Sequence, residues 1–377
     1  MRPKLLLVAD TYYPKVDGTL RFVEEFVKRS VQQFEISMLV PKYKGKQKKM
    51  VDEMTYVKTY KRISLSGYPS IKINFKSLRQ IKNAVKKADV VFAQGPAFLS
   101  FLSIYYGKKF KKKVIFYPHV ITWELVKRFI PLPGFMHSLA RKMVIYFYNK
   151  CTEILIPYHE LQQHLHKAGV KVKMTVARLG VDIQRFTPSL DKVVHKKKVK
   201  IPTNRFVIGY VGRLSKEKNV HTLLRAFKGL KDQSKIYLLL VGDGPKSQTQ
   251  EFKELPNVKI TGFVKNVEDY MKAMDVFIMP STTETTSLAT LEAMSSGLAV
   301  ITSKVGYIKN YVTKGHNGIF FAKNSPSMLA MKIEKLREHP ETIEKLGVQA
   351  RKTVAYSFSW ERSINKIKRV LASHIQR

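Results

Sequence analysis

Glu284 and Glu292 stand in the stretch PSTTETTSLATLEAMSSGLAV, residues 280–300, on either side of an expected change from strand to helix. The apolar run 275–279, ending at Pro280, reads as a buried parallel strand. Leu288, Leu291 and Met294 then recur at helical spacing until Gly297 stops the helix. Glu284 therefore falls just past a strand's carboxyl end, and Glu292 about one turn into the next helix. In an open α/β sheet ligands bind at such strand ends, and a helix start there offers free N–H groups to phosphate. An ionised carboxylate adds a second capability, because it accepts paired hydrogen bonds from the vicinal hydroxyls of a ribose or hexose. A phosphate-binding helix start flanked by two such carboxylates suits a nucleotide-sugar.

Three further segments end apolar runs in the same way. Tyr210-Val-Gly-Arg213 closes one run, with Lys218 shortly after it; an Arg fork and a Lys point charge at a strand end can grip a pyrophosphate. Among 68 basic residues the default for any one of them is a solvated surface, so position decides. Val241-Gly-Asp-Gly-Pro245 closes another, where Gly242 permits a tight turn; its spacing matches neither a Walker loop nor G-x-G-x-x-G. Thr261-Gly262-Phe-Val264 closes the third. In the first half, DTYYPKVDGT contains Gly18, and His119 follows the run VIFYP. A lone His after a strand is more often structural than chemical.

Together these segments resemble the E-x7-E retaining GT-B glycosyltransferases, the family 4-like group that includes sucrose synthase and lipid mannosyltransferases. The resemblance covers nearly the whole chain in the right order. It implies that Glu284 contacts the donor sugar and Glu292 the ribose, while Arg213 and Lys218, from a G-R-x-x-x-x-K-(G/N) motif, bind the donor phosphates. Gly242 is carried over from a family signature, Gly262 from the segment that walls the base by its backbone, and Gly18 from a small loop over the phosphates. His119 becomes a contact to the sugar beside the reaction centre. The family has Phe-Gly where Thr286 and Ser287 stand here, so their amides and that of Leu288 would serve the sugar or phosphate. In place of G-G-x-x-E stands Gly306-Tyr307-Ile308-Lys309-Asn310, so a phosphate or sugar contact in that loop does not carry over. No Asp-x-Asp occurs, which argues against a metal-bridged diphosphate and for no metal or other cofactor.

The elements that must position these residues alternate between strand and helix, which implies parallel doubly wound sheets. Expected strands of the first half are 4–9, 34–40, 89–93, 114–117, 151–157 and 173–178; those of the second are 206–211, 235–241, 258–261, 275–279 and 298–302. The 377 residues suffice for two cores. Residues 1–187 form an expected acceptor-binding Rossmann-like domain, 188–203 a polar basic linker, and 204–356 a nucleotide-sugar-binding Rossmann-like domain. In 357–377, Trp360, Ile364, Ile367 and Leu371 share one face of a closing helix. The resemblance implies the GT-B layout: α/β, two such domains facing a cleft, with the last helix returning to the first domain.

Composition narrows the partners. The single Cys151 excludes an intrachain disulfide and fits a reducing cytoplasm. The opening apolar run ends at Asp10, too short for a signal-peptide core, and no uncharged segment reads as a membrane span. The net charge is +40, of which +27 falls in residues 1–200 and +13 in 201–377. Such a field favours anionic lipid, nucleic acid or a polyanionic substrate; its bland reading is solubility. In 122–150, Trp123 and other apolar residues mix with Lys127, Arg128, Arg141 and Lys142, which suits an interfacial helix on anionic lipid. Two ordinary amphipathic helices would look the same.

The expected function is metal-independent, retaining transfer of a hexose from a nucleotide diphosphate sugar to an acceptor hydroxyl, on a membrane lipid. The expected place is the cytoplasm, bound peripherally to the inner face of the membrane. Alternatives are a GT-B nucleotide-sugar epimerase and a basic nucleic-acid-binding protein; the latter lacks any recognisable recognition motif, so no specific nucleic acid is expected as partner.

Overall fold

A computed structural model describes residues 2–15, 17–65, 68–95, 97–129 and 133–375, without the side chains of 61–69, Leu125, Arg128 and Phe129. It divides into two compact units: residues 1–178 with 361–377, and residues 179–360.

The strands of the first unit are β1 (Lys4–Ala9), β2 (Glu35–Lys42), β3 (Glu53–Leu65), β4 (Tyr68–Ile71), β5 (Val90–Gln94), β6 (Lys113–Tyr117), β7 (Glu153–Ile156) and β8 (Met174–Val176). They form one sheet in the order β4-β3-β2-β1-β5-β6-β7-β8. Every neighbouring pair is parallel except β3 with β4. Central strands such as VVFAQ are buried along their whole length, because helices cover both faces of a parallel sheet. The order turns at β1 and β5, so Asp10 and Gln94 sit at the switch point of this sheet.

The second unit contains β9 (Phe206–Val211), β10 (Ile236–Val241), β11 (Val258–Ile260), β12 (Val276–Met279), β13 (Ala299–Ser303) and β14 (Ile319–Phe321), all parallel, in the order β11-β10-β9-β12-β13-β14. Its switch point lies between β9 and β12. Residues Leu238 to Leu240, Val276 to Ile278 and Val300 with Ile301 are all at 0% exposure and form its core. Each such side chain contributes roughly 1.5–3 kcal/mol by leaving water.

Two strand groups escaped the sequence reading. β3 mixes Lys and Thr with its apolar residues and β4 contains a Pro, so neither shows a clean period; β14 is only three residues long. The expected linker is corrected more substantially. Residues Lys192–Lys198 form a helix whose N-cap, Asp191, accepts from Val193 N at 2.7 Å. Lys192 and Lys196 meet Asp275 at 2.9 and 3.0 Å, and Lys198 meets Asp269 at 2.8 Å. Burial alone would raise the pKa of Asp275, but the two ammoniums prevail and hold it below the usual range. The lysines that looked like solvated spacer instead neutralise two acids of the second unit, and the unit begins at Leu179.

The final helix, Trp360–Ser373, has Ile364, Ile367 and Leu371 fully buried. Lys368 donates to the Arg29 carbonyl at 3.3 Å, and His374 Nε2 lies 2.7 Å from the buried Glu153 carboxylate, so this tail is part of the first unit. Among the described residues no helix is long and apolar enough to cross a membrane.

Candidate active site

In the second unit, the loops after β9 and β10 lie backbone to backbone. Gly212 N donates to the Val241 carbonyl at 3.0 Å and Leu214 N to the Asp243 carbonyl at 2.8 Å. Gly242 has φ +141°, and a Cβ there would stand 2.0 Å from the Gly212 carbonyl oxygen, so the contact needs glycine. Gly262, two residues past β11, has φ +69°. This crossing fixes Arg213, whose carbonyl also accepts from the buried Tyr210 hydroxyl at 2.7 Å. The Arg213 side chain is exposed at the strand end.

Lys218 follows in a single turn, Lys216–Lys218, and reaches the loop after β12. Its Nζ lies 2.6 Å from Glu284 Oε1, which also accepts from Ser281 Oγ at 2.7 Å. The Glu284 side chain is only 7% exposed, so the pair is sheltered from water. Thr286 is buried, and Ser287 has φ +56°, a left-handed turn that swings the chain into the helix Leu288–Ser295. That helix starts with Leu288, and its first N–H groups have no acceptor within the helix. Glu292, 8% exposed, lies one turn in.

The loop that departs from G-G-x-x-E has a part the sequence did not reveal. Gly306 has φ +52°, and a Cβ would stand 1.6 Å from the Glu284 carbonyl oxygen. Tyr307 N donates to the Thr285 carbonyl at 3.0 Å, and the Tyr311 hydroxyl to the Thr286 carbonyl at 2.6 Å. This segment braces the Glu284–Ser287 turn by backbone contact. Its one remaining Gly was the available signal.

In the first unit Gly18 is the first residue of the helix Gly18–Ser30, and Asp17 caps it by accepting from Leu20 N at 2.9 Å. An Asp at this place has a local structural task. His119 sits just past β6. Its ring stacks on Tyr117 with centroids 4.9 Å apart and meets Phe22 edge-on at 5.3 Å. Its Nε2 is 2.9 Å from Gln94 Oε1. Burial pushes the imidazole pKa down to about 3, so the ring is neutral at physiological pH. At the end of β1, the Asp10 carboxylate accepts from Ala97 N at 3.0 Å and Ser100 N at 3.3 Å and so caps the helix Phe98–Lys109; burial raises its pKa to about 6. Neither Gln94 nor Asp10 belonged to a motif that pointed to it.

The helices Thr122–Phe129 and Gly134–Tyr148 carry the residues expected to meet lipid. Trp123 does not face outward. Its ring lies 6.0 Å from Tyr148 and stacks on His164, with the Arg141 guanidinium 5.8 Å from its centroid. An indole that finds ring partners packs rather than protrudes. Exposed instead are Phe135, Leu139, Met143 and Tyr146, which recur along one face with the exposed Lys142 beside them; Arg141 is exposed too but turned to the Trp123 side of the helix, and Lys127 is on the preceding helix. The Arg128 side chain lies outside the described residues.

Two family models match the chain: Glycosyltransferase Family 4 over residues 16–185 and Glycosyl transferases group 1 over residues 191–353. The alpha-monoglucosyldiacylglycerol synthase of Acholeplasma laidlawii is 26% identical over 309 residues, covering 77% of this chain and 76% of that protein. The alpha-monoglucosyldiacylglycerol synthase of Streptococcus pneumoniae is 28% identical over 237 residues, 60% of this chain; the chain spans 54% of that relative's length. Among solved structures, Anabaena HepE in complex with UDP matches with a TM-score of 0.79 at 18% identity, covering 98% of this chain and 100% of that one, which is a likeness of fold.

Proposed function

Since the chain belongs to the group 1 and family 4-like glycosyltransferases of GT-B fold, we propose that it moves a hexose from a nucleotide diphosphate sugar to a membrane lipid hydroxyl, with retention and without a metal. The observation that carries this reading is the meeting of Lys218 and Glu284 at the switch point of the second sheet, between Arg213 and the start of the Leu288–Ser295 helix. Transfer requires stabilising a departing diphosphate and an oxocarbenium-like sugar. Arg213, Lys218 and the helix start carry positive charge or N–H donors for the first. Glu284 and Glu292 offer carboxylate oxygens to sugar and ribose hydroxyls, and the neutral His119 orients the reacting sugar. The protein supplies no nucleophile in this scheme; the leaving phosphate helps to deprotonate the acceptor.

A lipid acceptor is supported by the relatives that are named for glucosyldiacylglycerol synthesis and by the exposed apolar face Phe135, Leu139, Met143 and Tyr146, with Lys142 at its edge, in the first unit. Peripheral binding to the inner face of the membrane, in the cytoplasm, is part of the same proposal; that face and the +27 charge of residues 1–200 support it. The deciding experiment incubates the protein with UDP- and GDP-hexoses, extracted membrane lipids and EDTA. A glycolipid of retained anomeric configuration by proton NMR is expected. An inverted product overturns retention, dependence on added metal overturns metal independence, and preference for a soluble glycan overturns the lipid acceptor. Formation of an epimeric donor without acceptor would make the protein an epimerase.

A further inference from the structure

The buried amide of Gln94 is chemically specific and not accounted for by fold alone. Gln94 ends β5 at the switch point of the first sheet and is 0% exposed. Its main chain is satisfied: the carbonyl accepts from Asp10 N at 3.2 Å and from Ser100 Oγ at 3.3 Å. Among the described residues its side chain has one partner, His119 Nε2 at 2.9 Å from Oε1, and its own Nε2 is buried without any. A buried unpaired donor costs about 1–3 kcal/mol, which an apolar side chain of the same shape would avoid. Stability therefore does not explain a glutamine here.

Among the described residues the imidazole is otherwise held by its faces and edge, on Tyr117 and Phe22. Those contacts fix the plane of the ring but not the nitrogen that carries its hydrogen. We propose that Gln94 is the positioning residue for His119: its Oε1 accepts from Nε2–H, fixes that tautomer, and leaves Nδ1 as the lone-pair acceptor offered to a substrate hydroxyl. This rests on the reading of His119 as a substrate contact. The opposite arrangement of the amide would have its Nε2–H donate to the ring and turn Nδ1 into a donor, an outcome that nitrogen-15 NMR distinguishes. The titratable neighbours are otherwise engaged: Asp10 caps the helix Phe98–Lys109, and the Tyr117 hydroxyl donates to the Ala177 carbonyl at 2.8 Å.

The test compares the full-length protein with Gln94→Met, Gln94→Leu and His119→Ala. Expected for both Gln94 variants is a melting temperature equal to or above that of the parent, with kcat lowered about 100-fold and donor KM unchanged, the size of a lost general acid–base or orienting contact. Nitrogen-15 NMR of the histidine-labelled parent should show protonated Nε2 and bare Nδ1, and a tautomer mixture in Gln94→Met. A parent with protonated Nδ1 overturns the proposal. So do apolar variants that fail to fold or keep the parent rate while His119→Ala is inactive. If His119→Ala itself keeps the parent rate, the role of His119 falls, and the proposal with it.

Discussion

Lys218 Nζ and Glu284 Oε1, 2.6 Å apart, join two loops that are 66 residues apart in sequence and end neighbouring strands of the second sheet. One carboxylate oxygen is already shared by Lys218 and Ser281, so a donor arriving here meets an oriented acid and a partly neutralised cation. Lys218→Ala leaves a sheltered carboxylate without its counter-ion. Nucleotide affinity is expected to fall about 10–100-fold, since hydrogen bonds to charged groups contribute about 1.5–3 kcal/mol. Calorimetric titration with nucleoside diphosphate measures this, and unchanged affinity refutes the assignment.

Gly306→Ala would press a Cβ into the Glu284 carbonyl at a left-handed φ of +52°. The backbone strain alone is about 1–2 kcal/mol, and the displaced turn carries Glu284 with it. A lower melting temperature together with a raised donor KM is the expected pair. Parent-like values for both would mean that the brace has no functional weight.

For Asp10, burial lifts the folded-state pKa to about 6, from 3.8. Between these values the folded protein keeps a proton that the unfolded chain has released, so this group's contribution to stability is lost as pH rises from about 4 to 6, by up to ~3 kcal/mol. Asp10→Asn keeps an acceptor for the cap and cannot ionise. Denaturant titrations from pH 4 to 7 should show the parent losing stability relative to the variant across that window. Parallel curves would contradict it.

On vesicles, replacing Lys127, Arg141 and Lys142 by Gln should weaken binding about 100-fold at low salt, at roughly 1 kcal/mol per cation. The difference should shrink as salt rises towards 0.15 M, where the Debye length is about 8 Å. Phe135→Ser with Leu139→Ser should weaken binding at any salt. Trp123→Ala, in contrast, should lower the melting temperature, because its ring packs on Tyr148 and His164. Sedimentation with anionic and neutral vesicles separates these outcomes; binding that ignores lipid charge excludes electrostatic docking.

Sequence alone determined the alternation of strand and helix, because apolar runs such as IYLLLV and the turn residues that end them are local signals. It also marked Arg213, Lys218, Glu284 and Glu292, whose spacing is itself the motif. It could not tell spacer from structure in Lys192–Lys198, since nothing near those lysines announces Asp269 and Asp275, more than 70 residues away. The same limit hid Gln94 and Gly306. A buried glutamine beside a neutral imidazole and a glycine against the Glu284 carbonyl are contacts between distant strand ends, made only when the sheet order is set. Trp123 shows the converse. Its type and neighbours suited a membrane surface, but which side of an amphipathic helix is covered depends on what packs against it, and only the tertiary structure decides that.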